Sequence, residues 1–137
     1  MVRDALATQG WEITYDWTLH KSVKSTFKRF KEVDLKEIAL KEIKGIFDAD
    51  VVIVLLPGGK GTHTELGMAI AKSKKIIIHS MVPNYFSLCD EIVPFYHQDD
   101  ICKLTCPFVD LAPKILEWEL QEALNNVMIN RATPNSK

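Results

Sequence analysis

Asp50-Val51-Val52-Ile53-Val54-Leu55-Leu56-Pro57-Gly58-Gly59-Lys60-Gly61-Thr62-His63-Thr64-Glu65-Leu66-Gly67 is the stretch whose reading decides the fold. Val51 to Leu56 are apolar without alternation, the pattern of a strand buried on both faces of a parallel sheet. Gly58, Gly59 and Gly61 then free the backbone to turn tightly and to approach a ligand. The spacing predicts a helix from Thr62 to Lys72 after the turn, and amides at a helix N-terminus suit a phosphate or another anion. Glu65 falls in the first turn of that helix, where those amides point. Its acid can be read in two ways. Thr62-His63-Thr64-Glu65 fits a capping box, in which hydroxyl and carboxylate each satisfy an orphan amide. The glycines before it carry an entropic cost that a plain cap does not need, which favours chemistry.

Outward from this stretch the chain alternates helix and strand. Met1 to Gln9 reads as a helix, with Gly10 suited to its C′ position. Trp11 to Trp17 alternates large apolar residues with Glu12, Thr14 and Asp16, which predicts a strand of period two. Residues 18–31 are polar and basic, either a solvated loop or an anion-drawing lid. The helix Val33–Phe47 has an apolar stripe of Leu35, Ile38, Ala39, Ile43 and Ile46. At 100° per residue Glu42 falls inside that stripe. A carboxylate there must be paired, protonated or facing a cavity, because burying a lone charge is costly. It is either a satisfied acid near the sheet edge or an acid aimed at a site.

Lys74 and Lys75 lead into the strand Ile76–His79, and Val93–Tyr96 reads as a short strand in an otherwise irregular region, 80–107. The last helix spans about 111–128, and residues 131–137 read as a frayed tail behind a single domain of residues 1–130. Alternating helices and apolar strands with short connections argue for an α/β fold with a mostly parallel sheet. Ligands bind such sheets at the carboxyl ends of the strands, where Asp16, the Gly58–Thr62 turn and Ser80 would converge.

Composition narrows the function classes. The chain of 137 residues has a net charge of -1, so the basic footprint of a nucleic-acid-binding protein is missing. Its apolar runs are strand-sized and give no membrane span. The odd set Cys89, Cys102 and Cys106 reads as reduced thiols of a cytoplasmic protein. His97, Cys102 and Cys106 match no standard zinc spacing, so neither a metal nor a cofactor is expected. His63 is exposed in the first helical turn or a base, and Trp11, Tyr15 and Trp17 are core residues, although Trp17 could stack on a nucleobase. Lys60 is followed by Gly61, which fails the P-loop pattern, and Thr64 stands where a dinucleotide fingerprint needs glycine or alanine. Glu65 and Glu42 remain, a pair able to divide nucleophile and acid roles at a glycosidic carbon.

Tyr15-Asp16-Trp17-Thr18, Ala49-Asp50-Val51 through Pro57, and Gly61-Thr62-His63-Thr64-Glu65-Leu66-Gly67-Met68-Ala69 resemble the nucleoside 2-deoxyribosyltransferase family. Small bacterial members are the nearest part of it, and 2′-deoxynucleoside 5′-phosphate N-hydrolases are relatives. The resemblance covers residues 1–80 best. It implies a flavodoxin-like or Rossmann-like three-layer sandwich that acts on a deoxynucleoside or deoxynucleotide. Glu65 takes the place of the family's nucleophile, and Glu42 that of an acid that assists at the base. Asp16, Trp17, Gly58, Gly59, Gly61 and Thr62 fall at substrate-binding positions. Family sites are completed by a neighbouring subunit, which implies a homodimer or larger homo-oligomer.

Two departures accompany the resemblance. Gly59 stands where the transferases carry an acid and the monophosphate hydrolases a serine. Family members also begin with a strand before the first helix, whereas this chain starts in that helix, so either the sheet lacks that strand or the native start lies upstream of Met1. Pro57-Gly58-Gly59-Lys60-Gly61-Thr62-His63-Thr64-Glu65 also matches the PGGxGTxxE motif of nucleotide phosphoribohydrolases, the lysine-decarboxylase-like proteins. A nucleotide-binding protein without catalysis is the alternative of a different class.

Overall fold

The computed structural model describes residues 1–15, 32–89 and 91–132, with side chains omitted at 32–33 and 129–132. The elements are helix α1 (Val2–Thr8), helix α2 (Glu32–Asp48), strand β1 (Val51–Leu55), helix α3 (Lys60–Ala71), strand β2 (Lys75–Ser80), strand β3 (Ile101–Thr105) and helix α4 (Phe108–Ala132). Short 3-10 turns at Pro83–Phe86 and Pro94–His97 lie between β2 and β3. The fold is α/β of the flavodoxin-like or Rossmann-like class. Its sheet is open and parallel, in the order β1-β2-β3. Contacts divide the chain into two compact units, residues 1–11 with 106–137, and residues 12–105.

The larger unit holds the sheet. β1 and β2 pair in register from Val51 with Lys75 to Leu55 with His79, and β2 and β3 from Ile76 with Ile101 to Ser80 with Thr105. Helix α3 packs Leu66 and Ala69 onto Val52, Val54, Ile76 and Ile78, with Tyr96 and Ile101 completing the core. The central strand is β2, buried from Ile76 through Ser80. β1 was expected to be buried on both faces, but only Val52 and Val54 are buried, while Val51, Ile53 and Leu55 are half-covered. The half-covered residues alternate with the buried ones, so they share the face of the strand opposite the one packed with Leu66 and Ala69.

In the smaller unit α1 packs on α4. Leu6, Leu111 and Ile115 are buried, and the Trp11 indole Nε1 donates to Glu119 Oε2 at 2.9 Å. Gly10 closes α1 at φ +90°, the left-handed conformation expected at C′. Cys89, Cys102 and Cys106 form no disulfide among the described residues, and burial pushes the Cys106 thiol above its usual range.

Several boundaries differ from the sequence reading. Trp11 to Tyr15 alternate as a strand would but form none, because a strand needs a hydrogen-bonded neighbour and these residues have no ladder partner among the described residues. Asp16 and Trp17 lie outside the described residues, as does the basic segment 18–31 and the tail from 133. Pro94 starts a 3-10 turn where Val93–Tyr96 was read as a strand, since proline has no N–H for a ladder. The third strand is Ile101–Thr105 instead. Helix α4 is longer at both ends than 111–128, and residues 131–132, placed in the tail, belong to it. No helix among the described residues is long and apolar enough to cross a membrane.

Candidate active-site groove

A groove of about 210 Å³ opens beside β1, walled by Val51 to Leu55 on one side and by Glu42, Gly45, Ile46 and Ala49 of the α2 side on the other. Thr62 and Glu65 of α3 and the Thr14–Tyr15 segment complete it. Chain connectivity orders these residues along its length. Ala49 lies just before β1 starts, and Thr62 lies just beyond the turn that follows its end. Both carboxylates, Glu42 and Glu65, line this one groove.

Glu42 occupies the stripe position that periodicity assigned to it and faces this groove. Glu65 reaches it from α3. Burial pushes the Glu65 carboxyl above the ordinary 4.5, and the nearby Glu42 charge pushes it further. Both causes disfavour a second negative charge in a partly dry space. The site therefore holds two coupled carboxylates, one of which takes a proton more readily than a lone exposed glutamate.

The capping-box reading of Glu65 does not hold. Helix α3 begins at Lys60 with Gly59 as its N-cap, so its first turn contains no acid. Gly59 can extend as an N-cap without a side chain, and the helix starts before Thr62. Thr62 is thus inside the helix and Glu65 is in its second turn, turned to the groove rather than to the orphan amides.

The glycines serve the turn rather than the groove wall. None of Gly58, Gly59 or Gly61 has positive φ, and none lines the groove. Gly58 is needed for space: a Cβ there would lie 2.5 Å from Thr62 Cγ2. Gly59 and Gly61 would each admit a Cβ with nothing within 4 Å. The structure thus brings Glu42, Thr62 and Glu65 together and leaves Gly58, Gly59 and Gly61 outside. Ser80, at the end of β2, is buried and turns inward, its hydroxyl donating to the Val82 carbonyl at 2.6 Å.

Two features escaped the sequence reading. Thr14 Oγ1 donates to the Gly45 carbonyl at 2.8 Å, and the Tyr15 side chain lies directly on Gly45. These contacts fasten the segment to α2 one turn beyond Glu42 and form one end of the groove lining. A lone glycine inside a helical pattern was the available signal, since such a residue often marks close approach. The second feature is His63. Its Nδ1 lies 2.8 Å from the Gly59 carbonyl, which can only accept, so Nδ1 carries the proton. Nε2 is then the acceptor, and the Tyr96 hydroxyl donates to it at 2.5 Å. Burial holds the Tyr96 phenol above its usual range, so the proton stays on the donor at neutral pH. This strap ties the start of α3 to the turn Pro94–His97. Tyr96→Phe is expected to cost about 1 kcal/mol, measured by urea unfolding. An unchanged midpoint would mean that the strap contributes nothing.

The comparisons name no relative. The chain matches no protein-family model, no curated protein and no solved structure. No group of three or more His, Cys, Asp and Glu side chains is placed to hold a metal among the described residues. His97 Nδ1 lies 3.1 Å from Lys103 Nζ, which can only donate, so that nitrogen is taken as an acceptor.

Proposed function

We propose that the groove cleaves or transfers at the N-glycosidic bond of a 2′-deoxynucleoside or its 5′-monophosphate. The observation that supports this reading is the meeting of Glu65 and Glu42 in one groove beside β1, close enough for one charge to act on the other. A Glu65 carboxylate oxygen attacks C1′, and the C–N bond to the base breaks. The base leaves with the electron pair and takes a proton from water, with Glu42 placed to assist at the base. The resulting ester at Glu65 is released when water or a second base attacks C1′, the displaced proton passing to solvent. Partial desolvation of Glu65 makes it a stronger nucleophile once ionised.

Substrate class and residue roles rest on the resemblance at Gly61 to Ala69, as do a homo-oligomeric assembly and a cytoplasmic location. Asp16 and Trp17 belong to the same proposal as substrate-binding positions, while the turn glycines shape the loop before α3 without lining the groove. The test is chromatography of free base released from a panel of deoxynucleosides and monophosphates. Release by the wild type and none by Glu65→Ala is expected. Adding a second free base separates a transferase, which forms a new nucleoside, from a hydrolase, which does not. No release from any substrate would overturn the reading.

A further inference from the structure

His63 has both ring nitrogens committed. Nδ1–H donates to the Gly59 carbonyl at 2.8 Å, and Nε2 accepts from the Tyr96 hydroxyl at 2.5 Å. The Gly59 carbonyl can only accept, so Nδ1 keeps its hydrogen, and a second proton on this imidazole has one place to go, Nε2. His63 is exposed, so that proton reaches it from solvent. With Nε2 protonated, an N–H and an O–H point at each other along a line that held one hydrogen.

Tyr96 cannot yield freely. It is 3% exposed and belongs to the core beneath α3, with Leu66, Ala69 and Ile101. Phe86 stands edge-on to its ring, with centroids 6.2 Å apart and planes at 75°. To accept from the new N–H, the hydroxyl must turn its own hydrogen into these packed surroundings, where a lost partner is costly. Giving up that hydrogen is no easier, because burial holds the phenol above its usual range.

The other charged and titratable groups around the strap leave His63 as its proton acceptor. On α3, Lys60 is exposed one turn earlier, the first turn carries no acid, and Glu65 turns to the groove. On β2, Ile76 and Ile78 pack under α3, so His79 points to the opposite face of the sheet. Tyr85, on the turn Pro83–Phe86, acts on Tyr96 and raises its phenol further. His97 shares the turn of Tyr96, but its Nδ1 accepts from Lys103 of β3 at 3.1 Å, outside the strap.

We propose that His63 and Tyr96 form an acid-sensitive latch. A proton arriving at His63 Nε2 breaks the bond from the Tyr96 hydroxyl, and the turn Pro94–His97 loosens from the start of α3, while the Nδ1–H bond to Gly59 stays. The latch holds while His63 is neutral and gives as pH falls through the range in which imidazoles charge. None of its groups lines the groove, so it does not depend on the glycosidic reading.

The test is nuclear magnetic resonance on the full chain from about pH 8 to about pH 5. Long-range N–H correlations report which ring nitrogens of His63 carry hydrogen. Exchange of the Tyr96 amide, which closes the turn by donating to the Val93 carbonyl at 3.0 Å, reports the latch. Corrected for the intrinsic pH dependence of exchange, this amide is expected to lose protection about fivefold or more as Nε2 takes its proton. In Tyr96→Phe the amide at position 96 is expected to be less protected at every pH and to show no step. His63→Gln, which places a carboxamide there and cannot titrate, is expected to show no step either. His97→Gln is expected to leave the step in place. Hydrogen on Nε2 rather than Nδ1 of His63 at neutral pH, no step in the wild type, or a step that survives in Tyr96→Phe or His63→Gln would overturn the proposal. A step that disappears in His97→Gln would overturn it as well, assigning the acid response to the His97–Lys103 pair.

Discussion

Glu65→Gln is expected to slow base release by about 1,000-fold or more and to raise the melting temperature by on the order of 2 °C at neutral pH. Both effects come from one carboxyl. Burial first, and the Glu42 charge second, hold Glu65 above 4.5 in the folded chain. Between the unfolded value and the raised folded value, the folded state binds more protons than the unfolded state. Stability therefore falls as pH rises through that window, and the cost remains at higher pH. Activity moves the other way, because attack on C1′ needs the carboxylate, so the rate rises with pH through the same window. Glutamine is nearly isosteric and cannot ionise. It removes the repulsion with Glu42, the pH dependence of stability from this site and the nucleophile together. Thermal melts and rates from about pH 4 to about pH 8 test the pair of effects. A variant that melts lower at neutral pH would show that Glu65 makes stabilising contacts that outweigh its desolvation.

Gly45→Val is expected to destabilise the chain by about 2–4 kcal/mol and to abolish base release. A Cβ at this position would lie 2.4 Å from Tyr15 Cβ and 3.7 Å from Tyr15 Cα. These atoms are at the root of the side chain, so the backbone of the segment must move away. The Thr14 hydroxyl then loses the Gly45 carbonyl that it binds at 2.8 Å. Replacing glycine inside a helix ordinarily gains about 1 kcal/mol with alanine, which makes Gly45→Ala a sharp companion. A net loss in urea unfolding is expected even there. A gain of the ordinary size would show that Tyr15 does not press on this helix. Because Thr14 and Tyr15 line the groove next to Glu42, the substitution alters the site as well as the fold.

The parts of this architecture that were legible in the sequence are those set by local pattern. The run Val51–Leu55, the glycine turn and the run ending at Ser80 declare a parallel α/β unit through apolar continuity and turn chemistry. Glu42 was legible as a carboxylate at an apolar helical position, and the groove explains why it is tolerated there. Trp11 to Tyr15 misled because alternation reports amphipathicity, not the presence of a neighbouring strand to pair with. β3 was missed because Ile101-Cys102-Lys103-Leu104-Thr105 is short and interrupted by a charge, as edge strands are. The Thr62 cap failed because Gly59 can cap without a side chain, which a hydroxyl-based rule does not detect. Tyr15 against Gly45 and Tyr96 against His63 are contacts between segments far apart in sequence, and no local period encodes them.

The proposed chemistry is tested most directly by the intact mass of the acid-quenched protein after brief exposure to a 2′-deoxynucleoside, followed by peptide mapping. A covalent intermediate adds the mass of one deoxyribosyl group to the peptide containing Glu65, and Glu65→Gln shows no such gain. A wild-type chain that releases base but never gains that mass on Glu65, or gains it on another residue, would contradict the assignment of Glu65 as nucleophile.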